Sequence, residues 1–373
     1  MAATSGAAAP STEILCELVN QVAIITLNRP AALNALSLPM IAGLRAQLSR
    51  CARDAGIRAV LLRGAGEKAF CAGGDVRALY RSFKEGGTLH RDFFIAEYAL
   101  DYLLYSYPKP YIALMDGVTM GGGMGLAQGA TLRIVGERTR IAMPEVGIGL
   151  FPDVGASYFL SRLPGSLGHY LALTGVPIDG ADSVYARLAD AYLAPSAIDS
   201  LAADFAALRW TDDNAADLRS LLQARSAPAL PAASLSGLRP AIDRHFSQAS
   251  VPGILASLEQ ESRPEYRGWA LRTARLMRTR SPTLLCVTHR QLSMGRSLTL
   301  AGCFRMELAM VRQCFEQGDF IEGVRALLID KDTTPRWSPS RLEDVTTASV
   351  DAFFQERWSG TTHPLADLER MSF

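Results

Sequence analysis

The sequence predicts an α/β protein whose first half alternates paired strands with helices and whose second half is mainly helical. Two short apolar runs, ILCELV and VAIITL, predict a β-hairpin that turns at Asn20 and Gln21. Further apolar runs that end in glycine are followed by helical patterns, and the order strand, strand, helix recurs up to about residue 195. Beyond that point the strand patterns stop and Ala, Leu and Arg patterns dominate. We therefore expect a repeated ββα core followed by a helical region.

Composition divides the chain into three parts. Residues 1–10, MAATSGAAAP, predict a disordered tail. Residues 11–195 form the predicted ββα core, and residues 196–373 form the mainly helical C-terminal region. Within that region we expect a loop at about residues 226–237, where Ala, Pro and Ser accumulate.

Two helix starts in the core are marked by capping residues. Ser37 is a predicted N-cap with Pro39 in the first turn, and it opens an amphipathic helix that ends near Arg53. Asp75 is the predicted cap of the helix DVRALYRSF. The runs that predict the other core strands are RAVLLRGAG, YIALMDG, LRIVG and TRIAM.

The remaining helices are predicted from apolar periodicity. In the core they are expected at about residues 91–107, 153–162, 166–174 and 180–187. In the C-terminal region SPTLLCVTHRQL and TLAGCFRMELAMVRQCFEQ predict two long helices. The following run, GDFIEGVRALLIDKD, is interpreted as a turn.

Composition and charge exclude several classes of partner. The 373 residues are 49% hydrophobic and 20% charged, the balance of an ordinary globular protein. The net charge is +1, from 38 basic and 37 acidic residues, so no strong field favours nucleic acid or an anionic membrane surface. No apolar run approaches the roughly 18 residues of a membrane-spanning helix. We expect neither a nucleic-acid partner nor a membrane partner.

The cysteines and histidines indicate a reducing compartment and no metal site. The six cysteines include no C-x-x-C pair, and the five histidines form no close metal-ligand pair. The first basic residue is Arg29, which argues against an Arg-rich transit peptide. We therefore expect reduced thiols, no bound metal, and a cytosolic or matrix-like location, with cytoplasmic as the prediction.

The stretch from Thr119 to Asp153 carries the chemistry. Its glycines 121–123 lie where a strand gives way to a helix, and unpaired N–H groups at a helix start can hold an anion. Glu145 and Asp153 follow, each beside a proline, on apolar loops that favour desolvated carboxylates. They are also compatible with simpler structural roles, an acid near a turn for Glu145 and an N-cap of the next helix for Asp153.

Together with CAGGD at residues 71–75, the runs GGGMG and AMPEVGIGLFPDVG resemble the crotonase (enoyl-CoA hydratase/isomerase) superfamily, and most nearly its 3-hydroxyisobutyryl-CoA hydrolases. The resemblance extends from about Ile14 to about Trp337. It implies a crotonase-type ββα spiral core with a helical C-terminal region. The implied reaction converts 3-hydroxyisobutyryl-CoA into 3-hydroxyisobutyrate and coenzyme A in valine breakdown. Coenzyme A would be part of the substrate and no cofactor would be needed.

By this resemblance four residues are catalytic. The N–H groups of Gly74 and Gly122 would form an oxyanion hole for the charge that develops on the thioester oxygen. Glu145 would either attack the thioester to give a mixed anhydride or act as general base to a water molecule. Asp153 would orient the substrate hydroxyl or assist proton transfer to the departing thiolate. Two carboxylates in one apolar pocket are expected to raise one pKa.

Further residues are implied in substrate binding. Glu97 lies on a predicted amphipathic helix, where a solvent-facing position is the simpler interpretation, but the resemblance implies that it contacts the substrate. Arg29 and Lys68 flank the two loops that would cover the nucleotide, and they are either coenzyme A phosphate ligands or solvated side chains. Cys71 lies beside the oxyanion turn and is interpreted as a packing residue.

Two departures from the hydratase pattern separate the competing functions. Crotonase-type hydratases carry a glutamate where this chain has Gly125, and a glycine where it has Asp153. The resemblance therefore favours a hydrolase over a hydratase or isomerase. A catalytically idle acyl-CoA-binding protein on the same fold is the alternative from another class. The relatives' habit of assembling as trimers implies a possible homo-oligomer.

Overall fold

The fold was obtained as a computed structural model, and it describes residues 12–226, 230–358 and 362–373. The tail predicted for residues 1–10 lies outside them. The strands are β1 (Ile14–Val19), β2 (Val22–Leu27), β3 (Ala59–Gly64), β4 (Ala69–Cys71), β5 (Tyr111–Leu114), β6 (Val118–Met120), β7 (Leu132–Val135), β8 (Arg140–Ala142) and β9 (Ala191–Tyr192).

The helices alternate with these strands in the first half and follow them without interruption in the second. They are α1 (Leu38–Arg53), α2 (Val76–Lys84), α3 (Leu89–Leu104), α4 (Gly122–Gln128), α5 (Ala156–Phe159), α6 (Leu167–Thr174), α7 (Gly180–Tyr185), α8 (Pro195–Ala207), α9 (Asn214–Arg225), α10 (Ser234–Phe246), α11 (Val251–Glu259), α12 (Pro264–Met277), α13 (Pro282–Gly295), α14 (Leu300–Gln317), α15 (Phe320–Val324) and α16 (Thr347–Asp351).

A large sheet carries the odd-numbered strands and β2, in the order β1-β2-β3-β5-β7-β9. The predicted hairpin is confirmed, since β1 pairs antiparallel with β2 and the turn residues Asn20 and Gln21 both have positive φ. The other pairings in this sheet are parallel. Side chains alternate between the two faces: Ile24 and Leu61 pack under α8 and α9, whereas Ile25 and Leu62 join the main core. Because both faces are covered, every residue of β2 is buried, and all but Thr26 are apolar.

A second, three-stranded parallel sheet carries β4, β6 and β8. Each of these strands follows an odd-numbered strand of the large sheet along the chain, and a helix follows after β4, β6 and β8. The repeated ββα plan predicted from the sequence is therefore confirmed. The sequence analysis did not predict the strands β4, β6 and β9, each of two or three residues, because their short runs lie among glycines or charged residues and depend on their pairing partners.

The C-terminal helices pack directly against the core. Helix α14 lies on α3 and α5, and α13 lies on α5 and α6. One continuous hydrophobic cluster contains residues from both sides of position 195, including Leu100 and Phe151 from the core and Phe304 and Phe320 from α14 and α15. The helical region thus forms one wall of the core. Within the described residues, no helix is both long and apolar enough to cross a membrane.

Several predicted boundaries differ from the structure. The predicted turn GDFIEGVRALLIDKD instead contains α15 and a π-helical turn at Arg325–Ile329. Helix α3 spans Leu89–Leu104 rather than 91–107, and α10 begins at Ser234, inside the predicted loop. The N-cap role considered for Asp153 is wrong, because Gly155 occupies the cap position of α5 and no side chain caps it.

Candidate active site

The small sheet brings three loops to one place. Its strands are parallel, with Cys71 opposite Thr119 and Thr119 opposite Ile141, so their carboxyl ends meet at one edge. The chain leaves β4 into Gly73 and Gly74, and it leaves β6 into the triple-glycine turn. The third strand, β8, leads into a short 3₁₀ turn that begins at Glu145. Segments far apart in sequence therefore converge on one cavity.

The two glycine turns lie in contact at this edge. Gly73 has φ +99°, and a Cβ built on it would lie 3.6 Å from the amide nitrogen of Gly122. Gly121 has φ +49°, and a Cβ there would lie 3.1 Å from Oε1 of Glu145. Both positions combine a backbone conformation that favours glycine with a close approach of another segment.

Gly74 and Gly122 line the same cavity. Gly122 is the first residue of α4, where N–H groups lack intrahelical partners. Within the described residues, neither amide donates to a backbone carbonyl. Two free donors from adjacent turns are the arrangement that an oxyanion requires.

Helix α3 supplies the wall opposite the glycine turns. Glu97 is only 2% exposed, and its Oε1 lies so close to Gly122 that a Cβ there would collide with it. This Oε1 has no hydrogen-bond partner in the described part of the chain. Glu97 therefore points into the site and not to solvent.

Asp153 completes the acidic lining. It is 3% exposed, and the Tyr98 hydroxyl on α3 donates a 2.7 Å hydrogen bond to its Oδ2. Glu145 and Asp153 line the same cavity, of about 90 Å³, together with Glu97 and the glycine turns. The structure thus brings together Gly74, Gly122, Glu97, Glu145 and Asp153 around one cavity, and their catalytic and binding roles stay predictions.

Burial and mutual repulsion control the charges in this cavity. Burial, with a further contribution from the neighbouring Asp153 charge, raises the pKa of Glu145 well above its usual range. Burial raises the pKa of Asp153 to about 6, although the Tyr98 hydrogen bond opposes that shift. Burial also raises the pKa of Glu97, and the charges of Asp101 and Asp153 add to it. Burial therefore favours the protonated forms of Glu97 and Glu145, whereas a pKa of about 6 leaves Asp153 largely ionised near neutral pH.

Asp101 is a buried acid of the site region that the sequence did not single out. It is fully buried, one helical turn beyond Glu97 on α3, and neither carboxyl oxygen has a partner in the described chain. Burial raises the pKa of Asp101 well above its usual range. Its Oδ2 occupies the space beside Gly125, where any Cβ would collide with it. Gly125 is therefore required sterically by an acid on the neighbouring helix.

The C-terminal region holds the loop that carries Asp153. The carboxylate of Glu307 on α14 accepts hydrogen bonds from the amides of Gly155 at 2.7 Å and Ser157 at 2.8 Å. On α13, Nε2 of Gln291 donates to the carbonyl of Pro152 at 2.5 Å. These contacts fix the start of α5 and, with it, the backbone around Asp153.

Sequence signals for Asp101 and Glu307 existed but were ambiguous. In FFIAEYALDYL two acids stand four residues apart in an otherwise apolar helix, which places them on one face. In CFRMELAMV a single acid is surrounded by apolar residues. Acids in such segments usually face solvent, so only the packing of α3 and α14 identifies them as internal.

Arg29 and Lys68 lie outside the lining of this cavity. Arg29 forms ion pairs of 3.3 Å with Glu13 and with Asp75, the N-cap of α2. Lys68 is exposed immediately before β4. The positions of Arg29 and Lys68 do not show whether either side chain contacts the coenzyme A phosphates, so their role as phosphate ligands stays a prediction. Cys71 is fully buried, and burial raises the pKa of its thiol to about 12, in keeping with a packing role.

The sequence matches the enoyl-CoA hydratase/isomerase family over residues 22–354. A Danio rerio protein named 3-hydroxyisobutyryl-CoA hydrolase, mitochondrial, is 43% identical over 345 residues, covering 92% of this chain and 89% of the relative. The Arabidopsis thaliana protein named 3-hydroxyisobutyryl-CoA hydrolase 1 is 39% identical over 352 residues, covering 93% and 92%.

Solved structures agree with the fold over the same length. A carnitinyl-CoA dehydratase from Mycobacterium thermoresistibile superposes with a TM-score of 0.85 at 38% identity, covering 93% of this chain and 97% of the other. An enoyl-CoA hydratase from Rhodobacter sphaeroides 2.4.1 gives 0.82 at 34% identity, covering 93% and 98%. The spiral core and the C-terminal helices therefore both have counterparts in known structures.

Proposed function

This chain belongs to the enoyl-CoA hydratase/isomerase family, and we propose that it is a thioester hydrolase whose buried acids carry out the reaction. The substrate is 3-hydroxyisobutyryl-CoA, and water cleaves its C–S bond to give 3-hydroxyisobutyrate and free coenzyme A. Curated relatives that match over about nine tenths of this chain carry this activity in their names.

One observation carries the proposal: Glu145 and Asp153 share one small cavity with two free glycine amides. Position 125 is a glycine and contributes no acid, and the carboxyl group of Asp101 fills the space beside it. A thioester whose carbonyl oxygen accepts from Gly74 and Gly122 would have its carbonyl carbon near Glu145, whose Oε1 lies beside Gly121. The two acids and the oxyanion donors then surround the bond that breaks.

Two routes satisfy this arrangement. Glu145 attacks the carbonyl carbon, expels the thiolate and forms a mixed anhydride that water then hydrolyses. Alternatively, Glu145 removes a proton from a water molecule that attacks the same carbon directly. Both routes need Glu145 ionised at the moment of attack and a proton returned to the thiolate, and both place the developing negative charge on the oxygen that the amides hold.

Asp153 and Glu97 are the residues that bind the 3-hydroxyl group of the substrate in this proposal. Both carboxyls are almost fully buried beside the cavity, and Oε1 of Glu97 has no protein partner among the described residues. A substrate hydroxyl supplies the missing partner. An analogue without the hydroxyl leaves a buried polar atom unpaired, which strongly disfavours its binding.

The proposal extends to the pathway, the coenzyme A contacts, the location and the assembly of the protein. We place the reaction in valine breakdown, with no metal or cofactor and with Arg29 and Lys68 near the coenzyme A phosphates. We retain a cytoplasmic location and possible homo-oligomerisation as proposals; the animal relatives are named as mitochondrial. Fractionation of cells that express a tagged chain tests the location, and light scattering after size-exclusion chromatography tests the assembly.

An acyl-CoA panel tests the proposed activity. Purified protein is incubated with 3-hydroxyisobutyryl-CoA and with crotonyl-CoA, and both free thiol and enoyl absorbance are followed. We expect thiol release from the first substrate and no loss of enoyl absorbance from the second. Loss of enoyl absorbance without thiol release would make the protein a hydratase, and neither signal would indicate an idle binding protein.

A further inference from the structure

A second and larger cavity lies behind one wall of the active site. Its volume is about 340 Å³, compared with about 90 Å³ for the catalytic cavity. The walls are mainly apolar and include Leu308, Val311 and Phe315 from α14. Nothing in the proposed hydrolysis of a short acyl group uses this space.

Phe94 separates the two cavities. Among the residues that the structure describes, it alone lines both of them. It is 4% exposed and lies in an aromatic cluster, with ring centroids 5.5 Å from Phe93, 5.8 Å from Tyr98 and 6.0 Å from Phe315. Neighbours on several sides restrict the ring to one orientation.

The contact with Tyr98 shows which end of the substrate approaches Phe94. The Tyr98 hydroxyl donates to Asp153, the acid to which the proposed function assigns the substrate hydroxyl or the leaving-group proton. The Phe94 ring therefore lies on the Asp153 side of the site. A chain extending from the acyl group toward this wall would meet the ring before it reached the second cavity.

We propose that Phe94 determines acyl-chain length, because its ring closes the catalytic cavity and withholds the apolar space behind it. The proposal rests on the proposed function for the direction of the acyl group. Without the ring, the two cavities become one channel that takes a straight, medium-length acyl chain. The physical basis is apolar contact: one methylene group more or less in a fitted pocket changes the kcat/KM ratio between two substrates by about tenfold or more.

The test compares kcat/KM for octanoyl-CoA and for 3-hydroxyisobutyryl-CoA in wild type and in Phe94→Ala. We expect the octanoyl to 3-hydroxyisobutyryl ratio to rise by about tenfold or more. Phe315→Ala is the matched control, because it removes a ring of the same cluster that lines only the second cavity. Its ratio is expected to stay within about threefold of wild type.

A second pair of variants guards against an unfolded or loosened protein. Phe94→Leu replaces Phe94→Ala wherever a thermal melt shows the latter unfolded, and the same direction of change is expected. The double variant F94A/V311F refills the opened space from the far side and is expected to restore the wild-type ratio. An unchanged ratio in folded Phe94 variants, or an equal rise in Phe315→Ala, overturns the proposal.

An affinity measurement keeps this result distinct from a failure of the proposed function. S-octyl-coenzyme A, an unreactive thioether, is titrated into wild type and Phe94→Ala by calorimetry. We expect about tenfold or more tighter binding to the variant, whether or not wild type hydrolyses 3-hydroxyisobutyryl-CoA. If wild type does not hydrolyse 3-hydroxyisobutyryl-CoA but the variant binds the thioether more tightly, the proposed hydrolase function is wrong and the role of Phe94 in closing the cavity stands. If wild type hydrolyses the substrate but the thioether affinity of the variant is unchanged, the hydrolase function stands and the role of Phe94 is wrong.

Discussion

Glu145 and Asp153 titrate as a pair because each is buried and each is close enough to sense the other's charge. The residues that line their cavity in the described chain include no Lys, Arg or His to stabilise a second negative charge. Burial raises the pKa of Asp153 to about 6 and raises that of Glu145 well above its usual range. The pair therefore loses its two protons in separate steps, and in the form that holds one proton, attack by Glu145 requires that proton to lie on Asp153, which then serves as the acid.

The pH dependence of kcat/KM tests this pairing. Below about pH 6 both acids are protonated and no carboxylate exists, so activity rises with pH as the first proton leaves. It falls again when the second proton leaves, which gives a bell-shaped profile. In Asp153→Asn only Glu145 of the pair titrates, so activity is expected to rise with pH and then level off. A falling limb retained at the same pH in this variant would contradict the pairing.

The substrate hydroxyl gives a second test at the same scale. If Asp153 and Glu97 bind it, wild type favours 3-hydroxyisobutyryl-CoA over isobutyryl-CoA in kcat/KM by at least about 10²-fold. Asp153→Asn is expected to narrow that ratio, because it lowers kcat/KM for the hydroxylated substrate more than for the plain one. Steady-state thiol release measures both rates. Equal rates in wild type would remove the hydroxyl-binding role from both acids.

At the scale of the elements, α14 reaches across the core to fix the active-site loop. Glu307 accepts hydrogen bonds from the amides of Gly155, the N-cap of α5, and of Ser157 in its first turn, and burial raises the pKa of Glu307 to about 8 against those hydrogen bonds. A four-residue helix has little stability of its own. Its start, and the backbone of Asp153 before it, therefore depend on a side chain about 150 residues away in sequence.

Glu307→Gln tests this dependence. The amide has one acceptor for two N–H groups, so one buried donor loses its partner at a cost of about 1–3 kcal/mol. We expect a lower melting temperature and a kcat reduced by about tenfold or more, because small misplacements of catalytic groups are costly. Glu316→Gln is the control, since Glu316 lies on the same helix in an exposed ion pair with Arg312. Equal effects of the two changes would remove the positioning role from Glu307.

Local signals explain which elements the sequence could predict. The hairpin, α1 with its Ser37 cap and α2 with its Asp75 cap are defined by nearby residues, and each was predicted correctly. The short strands β4 and β6 exist only because parallel neighbours pair with them. Similarly, the glycine turns and Glu145 were recognisable as motifs, whereas the internal positions of Asp101 and Glu307 depend on how distant helices pack.

At the scale of the whole molecule, the two predicted regions share one hydrophobic core. Phe304 on α14 packs on Tyr98 with ring centroids 5.7 Å apart, so the C-terminal helices support the helix that carries Glu97. Sequence patterns place a boundary near residue 195 because strand signals end there. They do not show that helices beyond the boundary complete the walls of the site, since that depends on long-range packing.

Glu145 gives the most direct test of the central claim that this cavity hydrolyses an acyl-CoA thioester. Free thiol release from 3-hydroxyisobutyryl-CoA is measured for wild type, Glu145→Gln and the exposed control Glu137→Gln, with coenzyme A affinity measured alongside. We predict that Glu145→Gln lowers kcat by about 10²-fold or more while coenzyme A binding and the control are unchanged. Turnover by folded Glu145→Gln within about threefold of wild type would contradict the account.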